Sequence, residues 1–512
     1  MMTMSLPLLW ASIFIPFIAA LITIVLGENL DKKTLAAINS GSLLLSALII
    51  LYSYITYGIK GLAFDPVIFT VDGLGTFALS MDAMVFLASF SIALVTAIVA
   101  VYSLPYMDHR FEEMRGKGER VPGWRTYYFL YTLFALSMIG TVMSTNMIEF
   151  YLFLELTLIP SFLLIAFYGY GDRVKIAILY LIWTHVGALL FLIGTLALGQ
   201  SVGFDFISLD KGFLVGLGEN LGTIASTVAL LLIIGLAVKM AVLGLHIWLP
   251  YAHAEAPTPI SALLSPNLIG IGGVMMFRIV YVLFPATFAG LSDILYVWAL
   301  ATMIYGGLMA LSQTDFKRLL AYSSVSQMGY MLLGLASVSV FGVAGTMLHY
   351  MVHAFGKAIL FAVAGILIAN LHGLRDITKM GGLATKMPYT AALALLGFMH
   401  ITGIPPTSGL WSEYLIIRGA VEKTLAQGLS WYVGTALALL LGIGLSTAYA
   451  FLTMKRVFYG ELKEELSSAK EAERSYWAPL IVLAALGILT FILASPIIDP
   501  LVSQIQAVMR GV

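Results

Sequence analysis

Fourteen runs of about twenty mostly apolar residues follow one another along this chain, near 6–26, 35–57, 75–101, 127–145, 147–169, 176–199, 223–245, 259–284, 291–312, 319–337, 341–369, 389–418, 430–454 and 476–495. A helix needs about twenty such residues to cross the hydrocarbon core of a bilayer. Lipid offers no partner to a backbone N–H or C=O, so a spanning run satisfies those groups only by becoming helical. Composition agrees with that reading. Of the 512 residues, 60% are hydrophobic and 11% charged, against roughly 25% charged in soluble domains. The expected fold is an all-α polytopic membrane protein.

Loop charges set the expected topology. With loops numbered from the N-terminus, nineteen Lys and Arg residues fall in odd loops, against only Lys60, Lys211 and Lys423 in even ones. The positive-inside rule then places odd loops in the cytoplasm and both termini outside, in a multi-pass protein of the cell membrane. The opening MMTMSLPLLW has no basic residue before its apolar run, so it reads as a first spanning helix rather than a signal peptide.

Several function classes are excluded or unsupported. There is no cysteine, which rules out disulfides and cysteine-ligated iron–sulfur or zinc sites within the chain. Neither G-x-x-x-x-G-K-[ST] nor G-x-G-x-x-G occurs, leaving nucleotide binding by those loops without support. Basic and acidic residues number 27 each, and no basic patch points to nucleic acid.

Two spans are interrupted. The seventh runs into GLHIWLPYAHAEAPTPIS, with Pro250, and the twelfth contains HITGIPPTSGLWSEY, with Pro405 and Pro406. Proline removes a backbone donor and clashes with the preceding turn, and such breaks persist at membrane depth only where protein or water satisfies the freed groups. Breaks at corresponding places in two halves point to inverted repeats around a transport site. The expected organisation is N-terminal helices 1–3 over 1–126, a five-helix repeat over 127–284, a second over 291–458, and a cytoplasmic loop with the last helix over 459–512.

Five ionisable residues inside spans are the leading candidates: Glu155, Lys239, His353, Lys357 and Glu413. A charge at the bilayer centre costs about 2.5–3.5 kcal/mol on insertion scales, and such residues face wet interiors, pair, or carry ions. Each has a plainer alternative. Glu155 can be a neutral carboxyl bonded in a helix interface, Lys239 can extend to the membrane surface, and Glu413 can support the broken backbone. His349, His353 and Lys357 stand at i, i+4 and i+8, hence on one helix face. That ladder suits proton transfer; polar packing is the alternative, and an H-x-x-x-H metal pair lacks a third ligand nearby. His246 and His253 flank the first break and are further candidates for the same pathway, while Glu149, nearer its helix end, is expected at the interface.

The strings FYLFLELTLIP, VKMAVLGLHIWLPYAHAEAPTPISALL, DFKRLLAYSSVSQMGYM, HAFGKAILFAVAGILI and GIPPTSGLWSEYLI resemble the antiporter-like subunits of respiratory complex I, of multisubunit cation/proton antiporters and of membrane-bound hydrogenases, from about residue 75 to 460. The resemblance implies a Glu155–Lys239 pair, a central Lys357 with His353 beside it, and a terminal acid at Glu413, acting without a cofactor bound to this chain. It also implies partners: further antiporter-like and small membrane subunits, with peripheral redox subunits holding iron–sulfur clusters and, in hydrogenase-type versions, nickel–iron. The chain would be the ion-pumping subunit of such an oxidoreductase, moving protons or Na⁺. A gradient-driven Na⁺/H⁺ antiporter without redox partners is the alternative, and a non-transporting scaffold a third. One departure stands out: alignment on Ala256-Pro257-Thr258 puts Gly270 where many relatives carry an eighth-helix lysine, weakly favouring a hydrogenase-type complex.

Overall fold

The computed structural model describes residues 3–4, 7–66 and 68–511; residue 6, the expected start of the first run, lies outside them. Helices α1 (Leu8–Leu26), α2 (Lys32–Thr56), α3 (Ala83–Gly116), α4 (Trp124–Met143), α5 (Met147–Tyr168) and α6 (Arg173–Val202) precede the first break. It separates α7 (Ala225–Met240) from the short α8 (Trp248–Glu255). The eighth span is built from α9 (Thr258–Leu263) and α10 (Ile269–Met275) with π-helical turns at Leu264–Leu268 and Met276–Tyr281. Next come α11 (Pro285–Leu311), α12 (Phe316–Ala336) and α13 (Val340–Asn370). The second break separates α14 (Pro388–Ile401) from α15 (Gly409–Gln427), and α16 (Leu429–Met454), α17 (Arg474–Ile492) and α18 (Ala494–Arg510) complete the chain.

Among the described residues, twelve helices are long and apolar enough to cross a membrane. The other two expected segments are helical but differ in kind. Helix α12 carries buried Ser323, Ser324, Ser326 and Gln327, which lower its apolar character, and the twelfth segment is split into α14 and α15. The third expected run began at 75, but Phe69–Val71 and Gly75–Phe77 form a hairpin there. Helix α3 starts only at Ala83, where Asp82 accepts from the Val85 N–H. It then continues past the apolar run, so Arg110 lies on the helix, buried, donating to the carbonyls of Tyr168 and Gly169. Two further small sheets, Thr3–Met4 with Ala63–Phe64 and Ser80–Met81, and the Ile207–Ser208/Gly212–Phe213 hairpin, depart from a purely helical reading.

Burial orders the bundle. The eighth span and α13 are wholly enclosed over their most apolar stretches, whereas α6 and α17 bury about a third or less of theirs. Helix α13 packs against α12, α14, α15 and α17 of its own half and against α3, α9 and α10 of the other. Helix α18 is amphipathic, burying Leu501, Ile505 and Val508, and its Gln504 accepts from the Ala83 N–H and donates to the Gly58 carbonyl.

Candidate functional site

The first break supplies the site's frame. Helix α7 stops where Ala241 adopts a left-handed conformation, φ 56°, and the groups freed beyond it are met by side chains rather than lipid. The indole N–H groups of Trp248, Trp183 and Trp298 donate to the carbonyls of Val238, Leu245 and Leu243 at 3.0, 3.0 and 2.9 Å. The Leu243 N–H donates to Thr302 Oγ1 at 3.2 Å. A tryptophan pairs a large apolar body with one donor, which suits a carbonyl exposed at membrane depth. Pro250 sits within α8, in its first turn, where its missing N–H costs nothing.

Lys239, one residue before the end of α7, is buried, and its Nζ lies 3.5 Å from Thr157 Oγ1 on α5. Glu155 does not join it. No ion pair within 4.0 Å connects the two; Glu155 Oε2 lies 3.0 Å from Nδ1 of His185 on α6. Residues 155 and 157 are about 200° apart around a helix, so α5 turns the glutamate to one side and the lysine's partner to the other. Glu149, expected at the interface, is buried, with Oε2 accepting from the Thr145 N–H.

Beyond the break, His246 Nε2 lies 3.3 Å from the Tyr305 hydroxyl. His253 is fully enclosed, stacked on the Phe361 ring at 4.9 Å, and neither of its ring nitrogens has a partner among the described residues. Lys317, which falls between the expected spans 291–312 and 319–337, is fully buried. Its Nζ donates to the carbonyls of Ala254, at 3.3 Å, and Ala256, capping the C-terminus of α8. A buried cation at a helix C-terminus meets both unpaired carbonyls and the negative end of the helix dipole.

The second half continues the polar row. Lys357 Nζ donates to the Leu320 carbonyl at 3.0 Å and to Ser323 Oγ. Beside Ser323, the Ser324 and Ser265 hydroxyls lie 2.7 Å apart, and the Asn267 side-chain amide is buried without a partner among the described residues. Gly270 leaves no room for a longer side chain, because a Cβ there would come within 2.6 Å of the Tyr350 ring. The Tyr350 hydroxyl is anchored on the Asn267 carbonyl at 2.7 Å. His353 and His349 stack with ring centroids 6.4 Å apart. His349 Nδ1 lies 3.0 Å from Ser412 Oγ, on the residue preceding Glu413.

Glu413 is buried against the second break; a Cβ at Gly403 would lie 2.5 Å from its Oε2, and its Oε1 has no partner among the described residues. Around Pro405 and Pro406 the backbone is tied down by Thr407, whose hydroxyl donates to the Met399 and Ile404 carbonyls at 3.0 and 2.7 Å.

The structure therefore brings His349, His353, Lys357 and Glu413 into one buried neighbourhood and leaves Glu155 on the far side of α5. Among the described residues no group of three or more His, Cys, Asp or Glu is placed to hold a metal. Four titratable residues escaped the sequence reading of the site. His185 and His400 each sit alone in apolar runs, and Lys317 abuts a predicted loop. Arg278 forms a buried pair with Asp82, which no sequence spacing connects.

Residues 144–439 match the family described as "NADH:quinone oxidoreductase/Mrp antiporter, TM". The chain belongs to this family. It is 32% identical over 375 residues to NADH-quinone oxidoreductase subunit M of Rhodobacter capsulatus, covering 71% of each chain. It is 30% identical over 392 residues to F(420)H(2) dehydrogenase subunit M of Methanosarcina mazei, covering 75% of this chain and 76% of that one. Its fold superposes on a chain of respiratory complex I from Thermus thermophilus with bound NADH, with TM-score 0.83 and 25% identity, covering 98% and 99% of the two chains. The family resemblance read from the sequence is thereby established, as are the helical antiporter-like fold and the multi-span membrane character.

Proposed function

We propose that this chain is the proton-translocating, antiporter-like subunit of a membrane-bound redox complex, coupling electron transfer in partner subunits to proton movement. The single observation that carries the reading is the row of buried, sparsely partnered ionisable groups from Lys239 to Glu413, enclosed in a fold shared with respiratory complex I. A chain retains so many costly groups where they carry charge. The subunit M relatives support the redox assignment over a gradient-driven antiporter. Protons are the proposed ion, since the imidazole, amine and carboxyl groups along the row can each take up and release one. Iron–sulfur clusters, with nickel–iron in a hydrogenase-type complex, would belong to the partners, as would the neighbouring membrane subunits. The five-helix stretches 127–284 and 291–458 would act as one half-channel each, with both termini outside.

In this mechanism a charge change in a neighbouring subunit alters Glu155, which lies within electrostatic reach of Lys239. Lys239 exchanges its proton toward His353 and Lys357, and Glu413 passes protons at the far end. His246, His253 and His349 extend the route. Moving one charge against 100 mV requires about 2.3 kcal/mol, which a shift of under two pKa units at about 1.36 kcal/mol each supplies. The test is the assembled complex in proteoliposomes. Glu155→Gln should leave partner electron transfer largely intact while suppressing proton pumping; unchanged pumping removes Glu155 from the mechanism.

A further inference from the structure

Helix α6 turns a nearly unbroken apolar face outward, with Ile178, Ile182, Val186, Leu189 and Ile193 all exposed. His185 interrupts it. Its side chain is 44% exposed, Glu155 beside it is 23% exposed, and the 3.0 Å contact between Nδ1 and Oε2 is the one hydrogen bond either side chain makes among the described residues. In a hydrocarbon surround neither group is stable alone as an ion, but the two can share one proton with no change in net charge. Tyr151, Tyr180 and Lys239 also lie within electrostatic reach of Glu155.

We infer that His185 is the direct proton partner of Glu155 and fixes how strongly the glutamate acts on Lys239. The inference rests on the pumping role proposed for Glu155. With His185 as the Nε2–H tautomer, the proton on Glu155 Oε2 passes to Nδ1, giving carboxylate and imidazolium, and returns by the reverse step. No other reactant is required. The carboxylate formed lies across α5 from the Thr157 hydroxyl that holds Lys239. Its effect on Lys239 is thus set by where the shared proton resides. His185 is a positioning residue in this scheme, acting on Lys239 only through Glu155.

The test compares Glu155→Gln, His185→Leu and His185→Gln in the intact complex, reading electron transfer, protons pumped per electron, and the infrared band of the Glu155 carboxyl identified by its loss in Glu155→Gln. His185→Leu should move that band and lower pumping at least about tenfold, the effect of losing a charge-assisted hydrogen bond. His185→Gln keeps a donor but cannot take up a proton, so it should assemble normally and still pump poorly. Full pumping by His185→Gln would reduce His185 to packing and overturn the inference, as would an unmoved band in His185→Leu. Normal pumping by Glu155→Gln would instead fell the parent reading and this inference together, so the two failures are distinguishable.

Discussion

Gly270 and Tyr350 share one space, and that explains why a row of charges crosses from one half to the other through neutral groups. With the Tyr350 ring 2.6 Å from any Cβ at 270, a lysine there is overpacked. Gly270→Lys should destabilise the protein by about 1–3 kcal/mol, seen as a lower unfolding midpoint in detergent, and Tyr350→Ala should recover part of that loss; independent effects of the two changes would show that they do not compete. The Arg278–Asp82 pair is the other residue-scale lesson. Asp82→Asn strands a buried guanidinium, which costs roughly 3–5 kcal/mol, so a sharp fall in folded yield is expected, and a neutral effect would mean that water already reaches Arg278. Neither pair was legible in the sequence. Spacing along one helix reveals the His349, His353 and Lys357 ladder, but Gly270 meets Tyr350, and Asp82 meets Arg278, only through packing of distant segments.

At the scale of elements, proline and glycine announced both breaks, and the structure adds what holds them open. Three indole donors and a threonine hydroxyl take up the backbone groups freed after α7. Replacing Trp248 with Phe removes the indole donor and leaves the Val238 carbonyl with the Ala241 N–H alone, which should cost about 0.5–1.5 kcal/mol; thermal unfolding of the purified protein measures it, and no change would mean that the Ala241 bond suffices. Lys317 does the same work at the end of α8. Lys317→Met should lower stability by about 1–3 kcal/mol, whereas a true loop lysine would tolerate the change. The sequence hid this because DFKRLL looks like a polar turn before an apolar run, and helix α12 in fact begins at Phe316. The third run was misplaced at its start for a related reason: a two-stranded hairpin of Phe, Thr and Val is as apolar as a helix end, and only its pairing with Gly75–Phe77 tells them apart.

For the whole molecule, hydropathy was enough to give the class of fold and most helices, because in lipid the apolar run is the structural unit. It could not rank helices by depth, since α6 and α13 read alike as apolar yet one buries a third of its apolar stretch and the other all of it. The proposed orientation has a direct test. The chain contains no cysteine, so single cysteines at Lys60 and Lys379 can be probed without background; an impermeant maleimide should label the first in intact cells and the second only after permeabilisation, and the reverse pattern would invert the topology. A last consequence follows from α13. This helix belongs to the second half, yet it is clasped by α3, α9 and α10 of the first, while α18 is tied across to the start of α3. Two halves interleaved in this way share a keel rather than a hinge. In the proposed transport role, the row would reach the two sides in turn through side chains turning and water threads forming and parting.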